Sequence, residues 1–222
     1  KKQTFCLIDT AGLRRKSKIT KILEKHMVSD TLKSIKFSDI CVLLVDASQN
    51  IDKQDLTIAR MIIGEGRGIV IGANKWDKVT DQNTIKNKII NQLGISLSQI
   101  KKIPIVFLSG LHNKGIEKLF DKIIYFEKKL SNRITTGKLN RWLSTIIENN
   151  PPPLYKGRQN NIRYITQVNV KPPTFALFMS SPDDLPNSYK RFLLVSIVKN
   201  FDLLWVPIRI MLRKGNNPYM KK

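Results

Sequence analysis

The chain has 222 residues, with 39 Lys and Arg against 17 Asp and Glu, a formal net charge of +22, and 41% apolar residues. That apolar content builds cores and excludes a disordered chain, and no apolar run reaches the ~20 residues of a membrane-spanning helix. Length allows one large or two modest domains, and the positive surplus points to polyanionic partners, nucleic acid or an anionic membrane face.

Residues 3–9 read as a strand that runs into Asp9-Thr10-Ala11-Gly12. Apolar residues at Ile19, Ile22, Leu23, Met27, Leu32 and Ile35 trace a helical stripe over 19–37. The continuous apolar run Ile40–Val45 predicts a strand buried on both faces, ending in Asp46-Ala47-Ser48. A helix over 53–63, a turn at Gly64–Gly68, a buried strand over 69–73, a helix over 81–93, a strand over 103–108 and an amphipathic helix over 116–130 follow. Strands and helices alternating at this spacing predict a parallel sheet covered on both faces.

The pattern changes at the polar stretch Ser131-Asn132-Arg133. A helix capped by Thr135 or Thr136 is stopped by Pro151-Pro152-Pro153. Ile162, Tyr164, Val168 and Val170 alternate with Arg163, Gln167, Asn169 and Lys171, the mark of a half-buried strand. A turn over 171–174, an antiparallel strand over 175–179, a helix over 187–201 and a strand over 205–213 complete an α+β unit. The expected domains are therefore 1–131 and 132–222.

Cys6 and Cys41 fall in apolar runs and read as small core residues, and His26 and His112 lack ligand-spaced neighbours. Residues 1–133 hold 25 basic and 13 acidic side chains, whereas 134–222 hold 14 and 4. The second domain is thus the better polyanion surface, with Arg163, Lys171, Arg209 and Arg213 on strand faces opposite the apolar positions. A merely solvated basic surface is the alternative.

Asn74-Lys75-x-Asp77 stands at the end of the buried strand 69–73. A carboxylate only accepts, so Asp77 can take both the ring N–H and the exocyclic amine of guanine; adenine lacks that donor pair, and a buried, unpaired Asp77 would reject it. Asn74 can tie neighbouring loops together and face the base carbonyl, while the Lys75 stem can cover the ring. The carboxyl end of a central parallel strand is where open α/β sheets bind ligands. Asp9 suits a magnesium-bound water, and Gly12 lets a γ-phosphate approach its backbone N–H. Ser109-Gly110-Leu111, after the next strand, is placed to offer backbone N–H groups to the guanine carbonyl. Gly64, Gly66 and Gly68 precede a strand and so form no dinucleotide fingerprint, and the Gly137-Lys138 pair lacks the rest of a phosphate loop.

"DTAG", "NKWD" and "SGL", in that order, resemble translation-factor-type GTPases over the first 130 residues. With "DTAGLRRKSKI", "NPPP", "TQVNVKPPTF" and "SYKRFL", the whole chain closely resembles the Der (EngA) family of bacterial GTPases, which carry two tandem G domains and a KH-like domain. The resemblance implies a doubly wound P-loop GTPase sheet without its first strands and phosphate loop, followed by a smaller α+β KH-like domain. It implies GTP/GDP and Mg2+ as ligands, Asp9, Thr10, Ala11 and Gly12 in the third GTPase box, and Asn74, Lys75 and Asp77 in the fourth. Ser109, Gly110 and Leu111 fall in the fifth. It further implies large-ribosomal-subunit assembly, ribosomal RNA and an upstream G domain of the same chain as partners, and a cytoplasmic site of action. Leu13 stands where many GTPases have a water-orienting glutamine, and the family shares this apolar residue. Arg14, Arg15, Lys16 and Lys18 are expected to form a mobile switch segment.

No Gly-x-x-x-x-Gly-Lys-Ser/Thr occurs in these 222 residues. In a GTPase sheet the strand carrying that loop lies between the strands at 3–9 and 40–45. Residues 1–130 are therefore expected to belong to a longer chain and, alone, not to hydrolyse GTP. A non-catalytic RNA- or ribosome-binding scaffold is the alternative function. Gly-x-x-Gly, the backbone clamp of ordinary KH domains, is also absent, which favours contact through the basic strand faces or packing against the G domain as a nucleotide-state sensor.

Overall fold

Parallel strands cannot be joined by tight turns, so each apolar run in the first half of the chain must reach the next through a crossover helix. The computed structural model describes residues 4–9, 31–97, 103–154, 157 and 159–215. The chain divides into two units, Lys1–Leu97 with Ile105–Leu119, and Ser98–Pro104 with Phe120–Lys222.

In the first unit, residues 31–37 are helical (α1) and lead to β1 (Ile40–Asp46). Then come α2 (Lys53–Gly64), β2 (Gly68–Asn74), a 3-10 turn (Trp76–Lys78), α3 (Gln82–Ser96), β3 (Ile105–Phe107) and the start of α4 (Ile116–Leu130). The sheet order is β1-β2-β3, parallel throughout. Central β2 is buried on both faces along Gly68–Ala73, and α2 packs Leu56, Ala59, Ile62 and Ile63 inward. Gly72 leaves room for the Leu44 side chain of the neighbouring strand: a Cβ there would stand 2.5 Å from Leu44 Cδ2, and that side chain would have to shift. Gly115, at φ +82°, turns the chain into α4 where a Cβ would meet the Phe107 carbonyl oxygen at 2.7 Å.

Three expectations are corrected here. Residues 4–9 are irregular and exposed, not a strand, and Cys6 is exposed with them. A strand exists only through ladder partners, and no described strand pairs with this segment. β1 is not buried on both faces: Val42 and Leu44, two apart and so on one face, are exposed, and that face is left largely uncovered by the described residues. The expected 19–37 helix is described only from residue 31; its earlier part, the Arg14–Lys18 segment and His26 lie outside the described residues.

The second unit takes the remainder of α4 and then α5 (Thr136–Asn149), β4 (Ile162–Asn169), β5 (Thr174–Met179), a 3-10 turn (Pro182–Asp184), α6 (Asn187–Asn200) and β6 (Arg209–Lys214). Central β5 runs antiparallel to β4 and parallel to β6. Phe175, Leu177 and Met179 of β5, Ile165 of β4, Leu139 of α5 and Leu193 and Ile197 of α6 form the core. The Trp142 Nε1–H donates to Ser196 Oγ at 3.2 Å, linking α5 to α6.

The alternation expected along β4 fails beyond Tyr164. Register shifts between Ile162 and Tyr164 and between Gln167 and Asn169 bury Gln167 and expose Val168. An extra residue in one strand reverses which positions face inward. Gln167 is buried at little cost because Oε1 accepts the Ile134 N–H at 2.8 Å and Nε2 donates to the Asn169 carbonyl. The last strand starts at Arg209, not 205, since Asp202 and Trp205 take left-handed φ values of 50° and 73°.

Candidate functional site

Three strand ends converge on the loop after β2. In the parallel register Asp46, at the end of β1, lies beside Asn74, at the end of β2. Lys75 then takes φ 60°, ψ 34°, a left-handed conformation uncommon for a residue with a Cβ. Asn74 holds it there. Its Oδ1 accepts the Lys75 N–H at 2.8 Å and the Gly110 N–H at 2.9 Å, so one side-chain oxygen ties the β2 loop to the β3 loop. Trp76 strengthens the tie: its N–H donates to the Leu108 carbonyl at 3.1 Å, and its ring lies 4.3 Å from that of Phe107.

Asp77 follows in the 3-10 turn, where its side chain is exposed and not buried as expected, because the short turn beyond the end of β2 carries no buried residue. The Ser109 hydroxyl donates to it and holds its carboxyl below the usual carboxylate range. Asp77 is thus an ionised acceptor that takes the Ser109 hydroxyl and its own backbone N–H and, being exposed, keeps acceptor capacity toward solvent.

Ser109 is buried, and Gly110 and Leu111 are exposed. The Ser109 N–H is spent on the Lys114 carbonyl at 2.9 Å and the Gly110 N–H on Asn74. That leaves Leu111 as the amide of the three not engaged by any described residue. Asp9 is exposed in the irregular segment 4–9, and Thr10, Ala11 and Gly12 lie outside the described residues. The structure brings together Asn74, Lys75, Asp77, Ser109 and Gly110, and does not pair the strand-like segment of Asp9 with them.

Reading the sequence missed Asp46. It is buried, and its Oδ2 sits 2.6 Å from Lys75 Nζ. An acid ending the strand next to the lysine-bearing loop was the available signal.

The basic strand residues divide. Arg209 and Arg213 alternate with Met211 along β6, all three exposed, and in register face the same side as Thr174 and Phe178 of β5. Arg163 is exposed at the first register shift of β4. Lys171 is half-buried, and its Nζ lies 3.3 Å from Glu127 Oε1. Among the described residues no helix is long and apolar enough to cross a membrane.

Two family models match in sequence order. The elongation factor Tu GTP-binding domain matches residues 24–129, and the C-terminal KH-domain-like region of EngA bacterial GTPase enzymes matches 133–213. The chain is 43% identical over 213 residues to the GTPase Der of Parvibaculum lavamentivorans, covering 96% of this chain and 45% of that protein. It is 42% identical over 217 residues to the GTPase Der of Rickettsia africae, covering 96% and 48%. The chain thus spans just under half the length of these curated relatives. Among solved structures, Era in complex with MgGDPNP and 16S ribosomal RNA aligns at 15% identity and TM-score 0.45, over 95% of this chain and 76% of that one. The succession of an α/β GTPase-type sheet and a KH-like α+β unit, matched by both models and by relatives across the length of the chain, places it in the Der (EngA) family of bacterial GTPases.

Proposed function

We propose that this chain is the guanine-reading and KH-like part of a GTP-binding and hydrolysing switch that acts, in the cytoplasm, in assembly of the large ribosomal subunit. The observation that carries the reading is the loop Asn74–Asp77. A strained lysine backbone is braced from two strands, and beside it an ionised carboxylate keeps acceptor capacity for the paired donors of a guanine edge. Because Asp77 is exposed before the base arrives, discrimination comes from the base itself. Guanine replaces the water that it removes from the carboxylate; adenine removes the same water and returns only one donor. Lys75 covers the ring, and the Leu111 N–H is the backbone donor left for the base carbonyl.

The phosphates and their Mg2+ belong to Asp9 through Gly12 on this reading, with Asp9 holding a metal-bound water. The described residues contain no cluster of three His, Cys, Asp or Glu side chains able to hold a metal. Domains 1–131 and 132–222 divide the work: the first reads nucleotide, and the second faces ribosomal RNA with Arg163, Arg209 and Arg213 while Lys171 is committed to Glu127. An upstream G domain is the remaining intramolecular partner.

A scaffold that binds RNA without using nucleotide is the second reading, favoured by the separation of residues 4–9 from the sheet. Calorimetric titration of the natural full-length protein separates the two. Saturable GDP binding with no response to ADP supports the switch. Equal response to both nucleotides, or none, together with retained RNA binding, supports the scaffold.

A further inference from the structure

Asp46 is 7% exposed at the end of β1, and a carboxylate gives up water only where the protein replaces it. Both oxygens are satisfied. Oδ1 accepts the Ser48 N–H at 3.0 Å and the Ser48 hydroxyl at 2.6 Å, and Oδ2 accepts from the Lys75 ammonium at 2.6 Å. Burial pushes the Asp46 carboxyl up, but the Lys75 and Ser48 donors outweigh it and leave the group below its usual range. The acid is therefore charged at neutral pH.

Lys75 benefits from such an anchor. Its side chain is 49% exposed, and a free ammonium on a four-carbon stem samples many rotamers. The root of that stem is set by the Asn74 oxygen on the Lys75 N–H. Its tip is set by Asp46, which reaches it from the neighbouring strand because β1 and β2 end in register. With both ends held, the stem between them is ordered before any base arrives. An asparagine at position 46 could accept one hydrogen bond, but it would hold no charge against the pull of water on the ammonium.

We propose that Asp46 is a positioning residue for the purine-reading loop, acting on a bound guanine nucleotide only through Lys75. This rests on the guanine reading above, and the test keeps the two apart. GDP and ADP are titrated into the natural full-length protein carrying 5-fluorotryptophan, and the Trp76 resonance, assigned from Trp76→Phe, reports on this site alone. Asp46→Asn is expected to weaken GDP binding about three- to ten-fold, the cost of ordering one long side chain on binding. Asp46→Glu should recover part of the loss. In a Lys75→Met background, Asp46→Asn should cost nothing further.

Unchanged affinity in Asp46→Asn, or an equal loss with and without Lys75, overturns the proposal while leaving the guanine reading standing. A wild-type Trp76 resonance that responds equally to ADP, or to neither nucleotide, overturns both. Should Asp46→Asn fail to fold, Ser48→Ala takes the hydroxyl donor from Oδ1, leaving the backbone N–H, without changing charge. It should weaken binding in the wild-type background and not in Lys75→Met; a loss in both overturns the proposal.

Discussion

Asn74→Ala removes the carboxamide and with it the two bonds that its oxygen accepts, from the Lys75 N–H at 2.8 Å and the Gly110 N–H at 2.9 Å. Each such bond contributes about 0.5–1.5 kcal/mol net. The side chain is only half-buried, so water reclaims part of what is lost, and the total expected is about 1–2 kcal/mol. The left-handed Lys75 loses its brace at the same time, so the loop loosens as the unit weakens. With a urea slope of about 1–3 kcal/mol/M, the midpoint of the first unit should fall by about 1 M. Trp76 reports on that unit, and Trp142 and Trp205 report on the other, so 19F resonances of fluorotryptophan separate the two transitions. Gly110→Ala is the control: its new Cβ would lie 3.5 Å from Asn74 Oδ1, an ordinary contact, and should shift the midpoint little. Asn74→Asp is a poor control, since it sets a second carboxylate beside Asp46 in register. The reasoning fails if Asn74→Ala moves the first midpoint no further than Gly110→Ala, or moves the second one as far.

Asp77→Asn exchanges one acceptor for a donor, so GDP should bind about ten- to a hundred-fold more weakly while xanthosine diphosphate, which offers one donor and one acceptor at that edge, binds more tightly; competition against a fluorescent nucleotide decides. The folded pKa of Asp46 is depressed, so its contribution is complete above the unfolded value near ~3.9 and is lost as pH falls through the folded value. Below about pH 4 the urea midpoint of the first unit should therefore fall more steeply in the wild type than in Asp46→Asn. Asn140→Leu fills similar space but orphans the Ile165 N–H and carbonyl at the outer edge of β4, which the Asn140 amide engages at 3.0 and 2.8 Å. A loss of about 2–4 kcal/mol in the second unit is expected from denaturant unfolding, and a change within ~0.5 kcal/mol would contradict that role. Arg209→Ala and Arg213→Ala should each weaken RNA binding and reduce the salt-dependence slope by about one, whatever the RNA sequence.

Elements with their own periodicity were legible from the residues alone. Helices α2 through α6 stand within a few residues of the expected spans, because each carries its stripe and its stops: Asp81 caps α3 through the Thr84 N–H, and the prolines after Asn150 end α5. Strand β2 was legible because burial on both faces leaves nothing but apolar and small residues. The segment 3–9 was misjudged for the opposite reason. Phe5-Cys6-Leu7-Ile8 has the composition of a strand, but whether it forms one depends on a neighbour that local composition does not describe. The β4 register shifts were equally illegible, since nothing in Tyr164-Ile165-Thr166-Gln167-Val168 marks where one extra residue is absorbed.

Of the polar residues that hold this protein together, Asn74 was legible as a tie between loops, whereas Asn140 and Gln167 escaped the sequence. Asn140 and Gln167 read as surface residues when only their polarity is considered, yet they, like Asn74, spend their amides on backbone groups that no ladder satisfies. Asn74 joins two strand ends, Asn140 closes the free edge of β4, and Gln167 satisfies the amide of Ile134 in the lead-in to α5. An amide suits these places because it donates and accepts in one plane at fixed reach, without the desolvation cost of a charge. Where a charge is used, at Asp46, it is matched at once by Lys75 and Ser48, and the matching lysine is the one in the proposed base-reading loop. A buried acid at a strand end therefore distinguishes the two roles better than burial alone: one satisfied wholly by its own neighbours is architecture, whereas one whose partner is half in water is holding something ready.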